Sequence, residues 1–170
     1  MNSALEKLTK EELMELATIY SKDWLACDGL WFQACEGAGG MDFAMERDKE
    51  IWKRFTVTEA KRIKKFLKLT EHPGLEGLEQ AMHLRLYANI NEESYEMIDG
   101  KLIYRTVSCD VQMKRQAKGM EWHPCKAIGE IEFPGFASTI DDRIVCRCIS
   151  CYPDLAEGYD GCCAWEFSIE

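Results

Sequence analysis

The sequence predicts an α+β domain in which N-terminal helices pack on an antiparallel sheet. Three observations carry that expectation. Apolar residues recur at three and four through the first half of the chain, they alternate at two in the second half, and an Asp-Gly dipeptide joins two of the alternating runs. With 170 residues, folding can bury roughly 70% of the area of the unfolded chain. One domain over 1–170 is therefore expected, helical over about 9–82 and sheet-rich over about 84–170.

Thr9 and Glu12 form a capping-box pattern, in which each side chain answers an orphan amide of a first helical turn. Leu13, Leu16, Tyr20, Trp24, Cys27 and Trp31 then follow at helical spacing. The glycine-rich stretch Glu36 to Gly40 breaks this helix, and Asp42 can cap a second one bearing Ala44, Asp48, Trp52, Phe55, Glu59, Ile63 and Phe66 on one side. His72, Pro73 and Gly74 mark its end, and a short amphipathic helix is expected over Leu75 to Met82. From Leu84 the period becomes two: Leu84, Leu86, Ala88 and Ile90 alternate with Arg85, Tyr87, Asn89 and Asn91, as in a half-buried strand. Tyr95 to Ile98, Asp99-Gly100 and Leu102 to Val107 read as a type I′ hairpin. A helix from Cys125 to Ile140, interrupted at Pro134 and Gly135, precedes two last strands at Arg143 to Ile149 and Cys163 to Ile169.

Acidic residues outnumber basic ones, 30 to 21, giving a formal charge of −9. Duplex binding needs a basic surface to neutralise phosphates, so no nucleic-acid partner is expected. No apolar run reaches the roughly 18 residues of a membrane span, and the start MetAsnSerAlaLeuGluLys lacks an apolar signal core. The expectation is a cytoplasmic chain with no membrane partner. Nine cysteines are the departure from ordinary usage. Disulfides are rare in the cytosol and an odd count cannot pair within one chain, so metal ligation, reactive thiols and plain packing are the readings to weigh.

Cys148-Ile149-Ser150-Cys151 is a Cys-x-x-Cys unit whose sulfurs can converge on one ion at the end of a strand. The Cys162-Cys163 pair returns after a loop with Pro153, Gly158 and Gly161, which allows a third sulfur to join. Cys125, Cys109 and His123 are the candidates for a fourth ligand. Alternation along the last strand places Cys163 with Trp165, Phe167 and Ile169, and Cys162 on the other face. Cys146 reads as a non-ligand, and Cys27 and Cys35 as small hydrophobes on the first helix.

HisProCysLys at His123 to Lys126, CysIleSerCys at Cys148 to Cys151, CysAlaTrpGluPhe at Cys163 to Phe167 and AspGlyLeuTrpPhe at Asp28 to Phe32 resemble an uncharacterised family of cytosolic bacterial and archaeal proteins. More distantly the chain is similar to the 4-vinyl-reductase and L-2-amino-thiazoline-4-carboxylic acid hydrolase-like group. That second resemblance implies a 4-vinyl-reductase-like α+β fold around a small-molecule pocket. It also implies zinc held by a Cys, an acid-x-x-Cys pair and a Cys entering the last strand, an order that Cys125, Cys148, Cys151 and Cys163 follow. Here Cys148 stands at the acid's position, so a structural four-thiolate zinc site is expected, with Cys109 as the substitute ligand and an iron–sulfur cluster as the alternative cofactor.

A small-molecule ligand is the expected partner. Asp28 falls between Trp24 and Trp31 on the first helix, and Glu59 and Arg62 between Phe55 and Phe66 on the second. They form internal ion pairs or, with Arg85, fix a ligand in a pocket walled by Trp31 and Tyr87. The alternative is that the aromatic helix face is buried against a second copy, as a homodimer. As an enzyme, the chain would be a thiol or metal hydrolase of small amino-thiazoline-type heterocyclic carboxylates. Its one local pairing of base and nucleophile is His123 with Cys125. His72 and His83 read as loop and helix-end residues. No phosphate loop, dinucleotide fingerprint or Ser-His-Asp order is present.

Overall fold

The computed structural model describes residues 3–159 and 161–169. After a short 3-10 turn at Leu5–Lys7, the helix α1 (Lys10–Leu67) begins with the expected capping box. Thr9 Oγ1 accepts from the Glu12 amide at 3.2 Å, and the Thr9 amide donates to Glu12 Oε2 at 2.7 Å. Inside α1, Gly40 takes φ 80° and ψ 178°, outside helical geometry. The chain doubles back there. The rings of Trp24 and Phe55 stack with centroids 5.0 Å apart, whereas 31 residues of unbroken helix would separate them by about 46 Å. The two helices expected from the sequence are thus the two limbs, 10–39 and 41–67, of one helical hairpin. Helix α2 (Gly74–Met82) follows.

The sheet contains β1 (Glu92–Ile98), β2 (Lys101–Ser108), β3 (Ile144–Cys151) and β4 (Cys163–Ile169), all antiparallel, in the order β1-β2-β4-β3. Asp99 and Gly100 both have positive φ, 51° and 76°, as a type I′ turn requires. Helices α3 (Asp110–Ala117) and α4 (Lys126–Ile140) fill the connection between β2 and β3. The architecture is α+β, as the periodicities indicate.

Two expectations are corrected. Residues 84–91 form no strand: they make turns and a 3-10 segment at Tyr87–Asn89, with Asn91 N–H donating to Tyr87 O at 2.8 Å. The alternation is also inverted, because Leu84 is exposed while Arg85 turns inward to buried carboxylates. Helix α4 runs unbroken through Pro134 and Gly135. Gly135 serves packing: a Cβ there would stand 2.9 Å from Thr56 Cγ2. Helix α3, on which no expectation was placed, buries Gln112 and Arg115 rather than an apolar stripe.

Helix α4 lies across the sheet, and Gly129 sets how closely: an added Cβ would meet the Trp165 ring at 2.3 Å. Trp165, Phe136, Phe167, Leu78, Met82 and Leu102 are fully buried in the main core. A second cluster joins Met45, Trp52 and Ile128 to Trp24, Phe55 and Tyr87 between the limbs of α1. No described helix is long and apolar enough to cross a membrane.

Candidate functional site: a thiol–imidazole centre in an apolar cavity

A cavity of about 520 Å³ lies between the two clusters, lined by Trp52, Tyr87 and Ile128 of one and Tyr104, Phe133 and Trp165 of the other. The volume and apolar lining suit a small organic molecule. Polar groups enter at particular points. Because α1 folds back at Gly40, Asp28 of one limb and Asp48 of the other come to the same wall. Burial raises the Asp28 carboxyl to about 6, and the Asp48 charge adds to the shift.

His123 and Cys125 enter from the segment before α4. The His123 Nε2 lies 3.6 Å from Asp48 Oδ2, and its ring stands 4.6 Å from that of Phe32. Burial opposes the charged imidazole, but interactions with Asp48 and Cys125 outweigh it and raise His123 to about 9. Gln112 of α3 fixes this segment: its Nε2 donates to His123 O at 2.8 Å and to Cys125 Sγ at 2.9 Å, and its Oε1 accepts the His123 amide at 2.9 Å. Cys125 is the N-cap residue of α4, where the helix dipole favours a thiolate. A hydrogen bond from Cys151, against burial and with help from His123 and Gln112, holds the Cys125 thiol well below its ordinary range.

Cys151 also hydrogen-bonds Cys163, so its own thiol keeps its proton and is pushed up, while Cys163 is lowered. Cys163 Sγ in turn donates to Thr106 Oγ1 at 3.3 Å. All three thiols line the cavity, as does Cys109, whose thiol burial raises to about 12. Cys148 does not line it and packs instead against the main core. Tetrahedral zinc with thiolates at about 2.3 Å holds its sulfurs roughly 3.8 Å apart. Among the described residues, the one group of three or more candidate ligand atoms all within 4.8 Å of one another is His72, Asp141 and Asp142. The four sulfurs named from the sequence are not gathered to zinc spacing.

The remaining candidates divide. Asp28, Arg85 and Tyr87 line the cavity. Glu59 lies beneath it, its Oε2 accepting from Arg85 Nε at 3.0 Å and its Oε1 from the Leu86 amide at 3.0 Å. Arg62 is exposed on a separate shallow groove with Phe66 and His83. Trp31 is 68% exposed and walls nothing; Phe32, four residues beyond Asp28, takes the place assigned to it. Cys27 is also exposed rather than packed.

Several residues of the site carry no signal in the sequence pattern. Gln112 and Arg115 sit on the unrecognised α3, and Arg115 makes a two-pronged bond to Glu36, both distances 3.0 Å. Lys114 and Lys118 bring further positive charge to the cavity. Asp48 was visible as a charge on an apolar helical stripe, the one signal that pointed to it.

The chain belongs to the family of unknown function DUF6125. The match covers residues 6–169, the helical hairpin and the whole sheet included. No curated protein and no solved structure matches the chain.

Proposed function

We propose that the chain is a small-molecule-binding thiol hydrolase of DUF6125, with Cys125 as nucleophile, His123 as its acid–base partner and Asp48 as the group that orients the imidazole. The observation that supports it most is His123 on the cavity wall, with its Nε2 3.6 Å from Asp48, Cys125 as its neighbour, and its buried Nδ1 left without a hydrogen-bond partner and so free to exchange a proton. This is the relation of nucleophile, base and orienting carboxylate that thiol hydrolysis needs. Cys125 Sγ attacks an electrophilic amide or amidine carbon, forming the C–S bond as the leaving nitrogen departs with a proton from His123. Water then attacks the acyl carbon while His123 takes its proton, and the C–S bond breaks to restore the thiol.

Lys114 and Lys118 line the cavity and are exposed, and Arg115, next to Lys114 in α3, lines it and is buried. Cations in the lining suit a carboxylate on the ligand. Small heterocyclic carboxylates of the amino-thiazoline type, which the resemblance implies, are therefore the first substrates to assay. The test is one equivalent of iodoacetamide at pH 6 followed by mass spectrometry. A thiol held low in pKa stays nucleophilic there, whereas an ordinary one loses about tenfold per pH unit below 8.5. Selective labelling of Cys125 with loss of turnover is the expected result; labelling spread over the exposed cysteines would overturn the reading.

A second reading, structural zinc, is favoured by one observation: Cys125 and Cys163 both meet Cys151. Zinc would draw these three sulfurs together from their present spacing and link α4, β3 and β4, adding folding free energy. Elemental analysis of chelator-free protein separates the cases: about one zinc per chain carries this reading, and iron with acid-labile sulfide carries the cluster instead.

A further inference from the structure

Of the four thiols that line the cavity, Cys125, Cys151 and Cys163 follow one another, with Cys151 in the middle and opposite Cys163 across the strand pair. Lys126 N–H donates to Tyr152 O at 2.9 Å, so the backbones one residue beyond Cys125 and Cys151 are already in hydrogen-bonding contact. Cys151 and Cys163 are directly opposed on neighbouring strands. A disulfide needs Cα atoms roughly 4.4–6.8 Å apart, a separation that directly opposed residues of antiparallel strands such as Cys151 and Cys163 meet. Of the three, Cys151 is the most buried, at 2% exposure, and it is shared by both pairs.

We propose that Cys125 and Cys151 form a dithiol that reduces hydroperoxides and closes to a disulfide, with Cys163 as the exchange partner of Cys151. In the first step Cys125 sulfur attacks the outer oxygen of a hydroperoxide. The S–O bond forms, the O–O bond breaks, and the departing alkoxide takes the thiol's proton, leaving Cys125 as a sulfenic acid and an alcohol as product. In the second, Cys151 sulfur attacks the sulfenic sulfur. The S–S bond forms, the S–O bond breaks, and hydroxide leaves with the Cys151 proton as water. Sulfur is oxidised by two electrons, the peroxide is reduced by two, and a small dithiol regenerates the pair by exchange. Cys163 can attack Cys151 in the disulfide and move the bond to the strand pair, releasing Cys125. The apolar lining favours an organic hydroperoxide over hydrogen peroxide.

This inference shares with the proposed function only the opening of Cys125 to the cavity. The test treats freshly reduced, desalted full-length protein with one equivalent of cumene hydroperoxide, and in parallel hydrogen peroxide, before alkylation and peptide mapping. The expected product has lost two hydrogens and carries a Cys125–Cys151 or Cys151–Cys163 link. In Cys151→Ser, dimedone should trap a sulfenic acid at Cys125; Cys148→Ser should still form the disulfide. An unlinked wild-type product overturns the inference, as does a link through Cys148 or oxidation of Cys125 to sulfinic acid without Cys151. Mapping the wild type needs no variant to fold. If iodoacetamide labels Cys125 selectively and no disulfide forms, this inference alone has failed; if Cys125 resists both reagents, the proposed function has failed with it.

Discussion

Two groups of buried charge border the same cavity and are built on opposite plans. Around Arg85 the valences close on themselves: its Nε donates to Glu59, its Nη2 bonds Glu132, and its guanidinium lies 4.7 Å over the Phe136 ring. Glu59 uses both oxygens. Around His123 they stay open. The Nδ1 atom is buried without a hydrogen-bond partner, and Asp28 accepts no hydrogen bond among the described residues. Burying polar atoms without partners costs free energy that folding alone does not recover. A saturated group therefore reads as scaffold, and an unsaturated one as a place where a visiting molecule completes the bonding.

The sharpest way to break this contrast is at its closed end. Arg85→Met leaves Glu59 and Glu132 facing each other in the core with no cation, a situation that typically costs about 3–5 kcal/mol. Urea denaturation should show a loss of that order, or no folded protein. A loss below about 1 kcal/mol would mean that the two carboxylates reach water, and the scaffold assignment would fall.

How much of this was legible in the sequence follows from which interactions are local. The capping box at Thr9, the turn at Asp99-Gly100 and the break before Met41 are short-range, and each stands where its residues indicate. The segment 84–91 misled because its alternation is real but its decisive partner is remote: Arg85 is drawn inward by Glu59 and Glu132, 26 and 47 residues away. Trp31 and Phe32 show the limit of helical spacing, since a single position decides which ring faces the cavity. Asp28 and Cys125 were visible as a charge among aromatics and a thiol near a histidine. That they share one cavity depends on the fold-back at Gly40, which spacing alone does not report.

At the open end the expected effect is smaller and has the opposite sign. Burial raises Asp28 from 3.8 to about 6. The folded state then holds the proton more tightly than the unfolded one, so stability falls as pH rises from about 4 through 6 and stays low above that. The shift is equivalent to about 3 kcal/mol as an upper bound. Asp28→Asn should therefore melt higher than the wild type at pH 8, with the gap closing below pH 4. Equal melting curves at every pH would show that Asp28 is satisfied without a ligand.

Cys125→Ser should be milder still, within about 1 kcal/mol of the wild type in thermal melts. The hydroxyl keeps an acceptor for Gln112 Nε2, and the backbone bonds of the segment are unchanged. A collapse of folding would instead favour the metal reading, in which that sulfur ties α4 to the sheet.

Lys118 offers the finest test. It lines the cavity yet makes no ion pair among the described residues, whereas Lys114 is engaged by Asp110 at 2.7 Å and Arg115 by Glu36. A free exposed cation contributes little to folding, so Lys118→Gln should change stability by no more than about 0.5 kcal/mol. If the cation serves a ligand's carboxylate, the same change should weaken binding of a thiazoline-4-carboxylate roughly three- to tenfold in dilute buffer. The difference should shrink near 1 M salt, where the screening length falls to about 3 Å. Titration calorimetry on the two proteins at low and high salt separates the terms. Unchanged affinity in dilute buffer would place the ligand's charge elsewhere, and Arg115, held by Glu36 but buried beside the cavity, would be the next cation to replace.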